Sequence, residues 1–441
     1  MLVQLLDFLN EGRIGLLGFG REGRSTYDFL RRHFPTRQLI IADQNPITDL
    51  NDPYVTFLCG ADHLDVLHRC DVLIKSPGVS LKDIDIPKKL LITCQTDLFL
   101  RFCDCMKVGV TGTKGKTTTS VLIHEMLRAS DVPAKLIGNV GVPVLDCFEE
   151  IDGHIAVIEL SSHQLEFTRA SPQIAVWTNL YEEHLDHYTG GFVGYAAAKA
   201  RICNYQAPEN LFILNADQPL HEWADLTPCK AQRVYIGLDE TDPFLRSLDN
   251  TSPRLRGDHN RQDIYFAATA ALAVGATQEG IRRAVADFRG IAHRMDLISQ
   301  AGGIDWVDDC ISTIPRAVLC AIDALENVDS LIIGGLDRGL DYQGFVQDLE
   351  LRSLRNIICM PDTGHAIAKL FEQADSQKNM IIVQTMEQAV AAAFSHTAAG
   401  KTALLSPAAA SYNLYKNFEE KGRHFAACIN NSAAAKPPCP K

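Results

Sequence analysis

The sequence predicts an α/β fold of parallel sheets covered by helices, and three observations carry that prediction. Short apolar runs alternate with helix-like patterns from one end of the chain to the other. Two of these runs lead directly into glycine-rich turns that open a helix, Gly18-Phe19-Gly20-Arg21-Glu22-Gly23 and Gly112-Thr113-Lys114-Gly115-Lys116-Thr117. At 441 residues the chain exceeds what one core serves, so two or three domains of about 100 to 200 residues each are expected.

The first block, residues 1–104, has strand candidates at 14–17, 39–42 and 72–75, each followed by a turn signal, and reads as a Rossmann-like nucleotide-binding domain. Its Gly18 to Gly23 turn follows a strand and is succeeded about 20 residues on by Asp43, the spacing of a dinucleotide fingerprint. The same turn accepts any diphosphate, and a nucleotide sugar suits Asp43 and Ser76-Pro77-Gly78 as well as NAD does. The second block, residues 105–294, opens with a strand at 106–110 and continues with strands at 155–160 and 174–178. Between the first two lies a phosphate cradle. Its glycines let the backbone turn N–H groups toward phosphates, the helix that follows adds its positive end, Lys116 supplies a mobile charge and Thr117 a hydroxyl for Mg2+. Val110 stands where the general loop pattern has its first glycine, so the loop is a shortened version. The chain is expected to spend ATP, and a second nucleotide site beside an ATP loop points away from redox chemistry.

The third block, residues 295–428, has strand candidates at 304–307, 331–334, 356–360, 380–383 and 402–405, again a doubly wound pattern. Residues 429–441, low in large apolar side chains and rich in breakers, read as a disordered tail. With 42 basic against 54 acidic side chains and a net charge of −12, the surface repels nucleic acid, and small molecules are the expected ligands. The 13 cysteines form no C-x-x-C pair and read as reduced, mostly buried thiols of a cytoplasmic protein. No run reaches about 18 uncharged apolar residues, so no membrane span is expected, and the apolar start lacks the basic leader of a signal peptide.

Candidate chemistry gathers at strand ends. Glu159-Leu160-Ser161-Ser162-His163-Gln164-Leu165-Glu166 closes one strand, where open α/β sheets place ligands, and Glu159 is a candidate Mg2+ ligand. One strand later comes Asn179-Leu180-Tyr181-Glu182-Glu183-His184-Leu185-Asp186-His187-Tyr188, whose carboxylates suit Mg2+, with a single His able to complete its shell. Lys199, on a helix of small side chains, reads from the residues alone as a surface lysine. Gly257-Asp258-His259-Asn260 reads as a helix start, with Asn260 able to contact a base or phosphate.

In order and spacing, Gly112 to Thr117, Glu159 to Glu166, Glu182 to His184 with Asp186, Lys199, Gly257 to Asn260, His293-Arg294 and Ser406-Pro407-Ala408 resemble the Mur ligases of peptidoglycan synthesis. The resemblance spans nearly the whole chain, from Gly18 to about Phe425. The Glu159 to Glu166 segment and Lys416-Asn417-Phe418-Glu419 are most similar to members that add glutamate to UDP-N-acetylmuramoyl-L-alanine. The resemblance implies an N-terminal UDP-binding domain (1–104), a central P-loop ATPase domain (105–294) and a C-terminal Rossmann-like glutamate-binding domain (295–428). It implies that Gly18, Gly20, Asp43, Gln44, Ser76, Gly78, Asn139, Ser161 and Gln164 hold the UDP-sugar. ATP falls to Gly112, Thr113, Lys114, Gly115, Lys116, Thr117 and Thr118 with Asn260, Arg294 and Asp309. Thr117, Glu159, His184 and a carbamylated Lys199 are the implied ligands of two Mg2+ ions, and Lys116, His184 and Lys199 the implied catalytic set. Thr313, Arg338, Ser411 and Phe418 surround the incoming glutamate. The implied protein is a cytoplasmic monomer that forms an amide through an acyl phosphate, with D-glutamate favoured.

One position departs from the pattern. Many family members carry a lysine two residues after the aspartate corresponding to Asp309, whereas this chain has Ile311, so Arg338 is expected to meet the glutamate carboxylate. This version also resembles a subgroup that includes ligases adding L-glutamate. A folylpolyglutamate-type ligase would have no use for the Gly18 to Gly23 block, a regulator without catalysis no use for the intact Lys116, Glu159, His184 and Lys199 set, and a dehydrogenase would need nicotinamide.

Overall fold

The computed structural model describes residues 2–435 apart from 226–227, 253, 256, 326, 338–341, 375 and 412. Three sheets organise it. The first joins β1 (Ile14–Leu17), β2 (Leu39–Asp43), β3 (Val55–Cys59), β4 (Val72–Lys75) and β5 (Leu91–Thr93) in the order β3-β2-β1-β4-β5, every pairing parallel. The second joins β6 (Lys107–Thr111), β7 (Ala134–Gly138), β8 (Ile155–Glu159), β9 (Ile174–Trp177), β10 (Leu211–Asn215) and β11 (Gln232–Ile236) in the order β11-β10-β9-β6-β8-β7, again all parallel. The third runs β12-β13-β17-β14-β15-β16. Its members are β12 (Asp296–Ser299), β13 (Asp305–Asp308), β14 (Val328–Gly335), β15 (Asn356–Asp362), β16 (Asn379–Ile382) and β17 (Thr402–Leu405), and only the β12 edge is antiparallel.

The strands read from sequence fall close to where expected, because central strands buried on both faces are continuous apolar runs. Those not foreseen are mostly sheet edges. β3, β5, β7, β11 and β12 each lie at the end of a sheet and mix polar with apolar residues, which removes the pattern that identifies a strand. β10 is the interior exception.

The chain forms two compact units, Met1–Arg289 and Gly290–Lys441. The expected break near residue 104 does separate two sheets, but it does not separate two cores. Phe148, which lies between β7 and β8, meets Phe29 and Phe99 of the N-terminal block edge-on, with ring centroids 6.1 and 5.9 Å apart, and one apolar cluster runs through both sheets. The second boundary falls at Arg289 rather than at 294, so Arg294 belongs to the second unit. The expected tail also needs correction. A final helix spans Phe418–Ala435, with Phe425 and Ile429 fully buried, so residues 429–435 continue a helix because its apolar stripe has a core to face. The rest of the tail, 436–441, lies outside the described residues.

Candidate active site

The order of the second sheet reverses beside β6, and the loop after β6 emerges at that crevice. Gly112 and Gly115 have φ of 155° and 80°, and a Cβ on either would collide, with the Thr178 hydroxyl for the first and the Asp263 carboxylate for the second. The loop is pinned from the end of β9. The Asn179 side-chain oxygen accepts from the N–H of Thr113 (3.1 Å) and Lys114 (2.7 Å), while the Thr178 hydroxyl and the Asn179 amide both donate to the Lys114 carbonyl, at 2.6 and 3.0 Å. The helix Lys116–Ala129 starts immediately after Gly115, and Lys116 Nζ donates to the Thr113 carbonyl at 2.9 Å. Asn260 sits in the first turn of the helix Asp258–Ala273, whose Asp263 accepts from Thr119 at 3.2 Å beside the loop.

Lys199 is the largest departure from what the residues alone suggested. It is 1% exposed rather than on the surface, and its Nζ donates to the Gly112 carbonyl at 2.6 Å and lies 4.7 Å from the centre of the Tyr195 ring. The small residues of the helix Phe192–Asn204 allow this close approach. Burial, then the nearby Lys116, holds the Lys199 amine well below the ordinary lysine range, with Glu183 and Glu159 opposing. Glu159, at the end of β8, is equally buried; its Oε1 accepts from Asn139 at 2.7 Å and its Oε2 has no partner among the described residues. His184 sits at φ 55°, a left-handed conformation that costs a non-glycine residue about 1–3 kcal/mol. Burial lowers its pKa, partly offset by Glu183.

Sequence reasoning assigned no role to His163 or His187, yet they complete the same wall. The His163 ring lies 4.8 Å from His184 and 4.1 Å from His187, and stacks on Tyr188 at 5.7 Å. Burial first, then the nearby basic side chains of His187, His184, Lys75 and Lys199, pushes His163 down to about 3, so it is a neutral ring at physiological pH. Next to them Lys75, 2% exposed, pairs with Glu166 at 3.4 Å. Lysine in a strand that otherwise reads Val-Leu-Ile was the available signal. Ser161 and Gln164 form a reciprocal cap on a short helix, and Gln164 donates to Glu22 at 2.7 Å, joining the second sheet's loops to the first glycine turn.

In that first turn Gly18 has φ 89°, and its carbonyl accepts from Ser76 at 2.7 Å. Both Asp43 oxygens already serve the backbone, accepting from the N–H of Phe19 (2.7 Å) and Asn45 (2.8 Å); Gly20, Gln44 and Gly78 are exposed around it. The second unit holds Arg294, Asp309, Thr313, Ser411 and Phe418. Asp309 is buried and accepts from Ser406 at 2.7 Å, and burial raises its pKa. The buried Ser411 hydroxyl has no partner among the described residues, and Phe418 meets His293 edge-on at 6.0 Å. Arg338 lies outside the described residues. Lys421, unforeseen, is fully buried with Nζ donating to the Gly334 carbonyl at 2.6 Å, and burial pulls it down to about 8.

A glycine-rich loop between a strand and a helix, with buried Glu159 and Lys199 and the imidazole of His184 beside it, is the arrangement of an α/β protein of the nucleotide-using class. Comparison with known proteins narrows this. Residues 110–269 match the Mur ligase middle domain and residues 293–409 the Mur ligase glutamate ligase domain. The UDP-N-acetylmuramoylalanine–D-glutamate ligase of Pelodictyon phaeoclathratiforme is 30% identical over 95% of this chain and 98% of its own length. That of Desulfitobacterium hafniense is 32% identical over 95% and 97%. Among solved structures, the UDP-N-acetylmuramate–alanine ligase of Thermotoga maritima shares the fold at 17% identity and a TM-score of 0.53, covering 96% of this chain and all of that one (100%). E. coli FolC in complex with DHPP and ADP does so at 15% and 0.54, covering 81% and 99%. The chain belongs to the Mur ligase family, the ATP-dependent ligases of peptidoglycan precursor synthesis. No helix among the described residues is long and apolar enough to cross a membrane.

Proposed function

We propose that this chain uses ATP to join glutamate, D-glutamate first, to the terminal carboxylate of UDP-N-acetylmuramoyl-L-alanine. The observation that carries the reading is the convergence of Lys116, Glu159, His184 and Lys199 around the ends of the adjacent strands β6, β8 and β9. Relatives bearing that activity in their names match over almost their whole length.

The residues fit the groups the reaction needs. The missing Cβ atoms of Gly112 and Gly115 let Thr178 and Asp263 close on the loop and fix its backbone, and Glu159 Oε2, without a hydrogen-bond partner among the described residues, is an acceptor suited to a cation. Thr117, Glu159, His184 and Lys199 would hold two Mg2+ ions, which neutralise phosphate charge when bound. A lysine can join such a set only after losing its charge. Burial lowers the Lys199 pKa and so favours the neutral amine, the form that adds to CO2 to give a carbamate and release a proton. In the reaction, a carboxylate oxygen attacks the γ-phosphorus, the bond to ADP breaks, and Lys116 turns from the Thr113 carbonyl to the developing charge. The glutamate amine then attacks the acyl carbon, phosphate leaves and the amine gives up a proton. Thr113, Lys114, Gly115, Thr118 and Asn260, with Arg294 and Asp309, complete the ATP site in this reading. Gly18, Gly20, Asp43, Gln44, Ser76, Gly78, Asn139, Ser161 and Gln164 take the UDP-sugar, with Asp43 acting through the turn it ties. Thr313, Arg338, Ser411 and Phe418 receive glutamate.

A second reading is the same ligation with L-glutamate, because the segment Asp309 to Pro315, with Ile311 where many family members have lysine, resembles a subgroup that includes ligases adding L-glutamate. The test is to supply ATP, Mg2+ and UDP-N-acetylmuramoyl-L-alanine with either enantiomer, following phosphate and product mass. Product with D-glutamate supports the first reading, product with L-glutamate alone selects the second, and product with neither rejects both. Stripping CO2 and bicarbonate is expected to lower turnover reversibly if Lys199 works as a carbamate; unchanged rates would remove that part.

A further inference from the structure

Away from the phosphate loop, the second unit brings together three metal-ligating side chains of different chemistry. Glu387 lies in the first turn of the helix Met386–His396, and His424 and Cys428 lie four residues apart, on one face of the final helix. One ligand atom from each falls within 4.8 Å of the others, and Glu387 Oε1 is 3.0 Å from His424 Nε2. The two helices pack together through Met386, Ala389, Val390, Phe425 and Ile429, so the cluster sits on a rigid seam. The carboxylate and imidazole reach solvent, with side-chain exposures of 62% and 38%, while Cys428 is buried, 5% exposed. A cation can therefore enter from the surface and meet the thiol at the inner end.

The outer contact of the histidine also suits a metal. Tyr415 Oη lies 3.1 Å from His424 Nδ1, leaving Nε2 to face Glu387 and Cys428. Metal-bound histidines commonly use their second nitrogen in this way, which fixes tautomer and ring orientation. A set of one sulfur, one nitrogen and one oxygen is too soft for Mg2+ and suits Zn2+, whose three-ligand sites keep a fourth position for water.

We propose that Glu387, His424 and Cys428 form a Zn2+ site that staples the final helix to the helix Met386–His396, with Tyr415 positioning His424. Binding replaces the Glu387–His424 hydrogen bond with two metal bonds and forms a sulfur–metal bond as the Cys428 thiol gives its proton to solvent. It is independent of the ligase reading, which uses none of these four side chains.

The test uses the full chain under a phosphine reductant, titrated with Co2+ as a spectroscopic probe and then with Zn2+. One equivalent of Co2+ with a thiolate-to-metal charge-transfer band, displaced by Zn2+, is expected. Cys428→Ser should lose the band, Glu387→Gln and His424→Gln should weaken binding by about 10-fold or more, and Tyr415→Phe by about 10-fold. Glu387 is on the surface, so its variant reports on binding even if Cys428→Ser perturbs the core. No charge-transfer band in the parent chain, or a band that survives both Cys428→Ser and Glu387→Gln, overturns the site.

Discussion

At the scale of single residues, the chemistry depends on which charges burial permits. Lys116 lies beside the phosphate loop with Nζ on the Thr113 carbonyl, and Lys116→Ala removes that donor without emptying a core. Turnover is expected to fall about 100- to 1000-fold, as for other donors that meet developing charge, with an unchanged circular dichroism spectrum. Phosphate release in the complete reaction measures it. His293 illustrates the opposite sign. Its Nδ1 lies 2.7 Å from Asp308, and that bond raises its pKa above the ordinary value despite burial. The folded chain then holds the imidazolium more tightly than the unfolded chain does. The resulting stability is fully present below about pH 6.5, the unperturbed value, and is lost as pH rises through the raised one. The difference in unfolding free energy between the parent and His293→Gln, followed by urea titration at several pH values, should therefore be largest in acid and shrink toward neutral and alkaline pH. A constant difference would show that the contact acts through packing alone.

At the scale of elements, the strand, loop and helix from β6 to Lys116–Ala129 succeed because each glycine occupies a conformation or a space that other residues cannot. Gly115 precedes the helix at φ 80°, and its missing Cβ lets Asp263 approach from the helix Asp258–Ala273. Gly115→Ala is expected to cost about 1–3 kcal/mol of stability from backbone strain and to weaken nucleotide binding, measured by thermal unfolding with and without ATP. Much of this was legible in the chain. The turn glycines, Lys116 and Glu159 announce themselves by following apolar runs, since a buried parallel strand and a phosphate loop each leave a local pattern. The Asn179 clamp, the His163–His187 pair and buried Lys199 leave none, because their partners come from other strands. The final helix was misread for a similar reason: Asn430-Asn431-Ser432 look like breakers until Ile429 has a core to fill.

At the scale of the whole molecule, the first unit links two sheets through one apolar cluster, and Phe148 is the residue that stands between them. Phe148→Ala should cost about 3–5 kcal/mol, the usual range for a buried aromatic ring. Hydrogen exchange should speed up in both β1 and β8. Faster exchange in only one of the two strands would mean that the sheets unfold separately. The second unit, with its own sheet and core, is expected to keep its exchange pattern in the same variant.

The order of elements, the parallel α/β class, the position of the phosphate loop and the kinship to the Mur ligases were fixed by the linear chain, because each rests on neighbours a few residues apart or on motif order. Tertiary structure alone decided that Lys199 is buried with its pKa lowered, that the first two sheets share a core, and that Glu387 lies beside His424 and Cys428. Burial and pairing depend on what other elements place around a side chain, and water exclusion sets its charge; no local pattern encodes either.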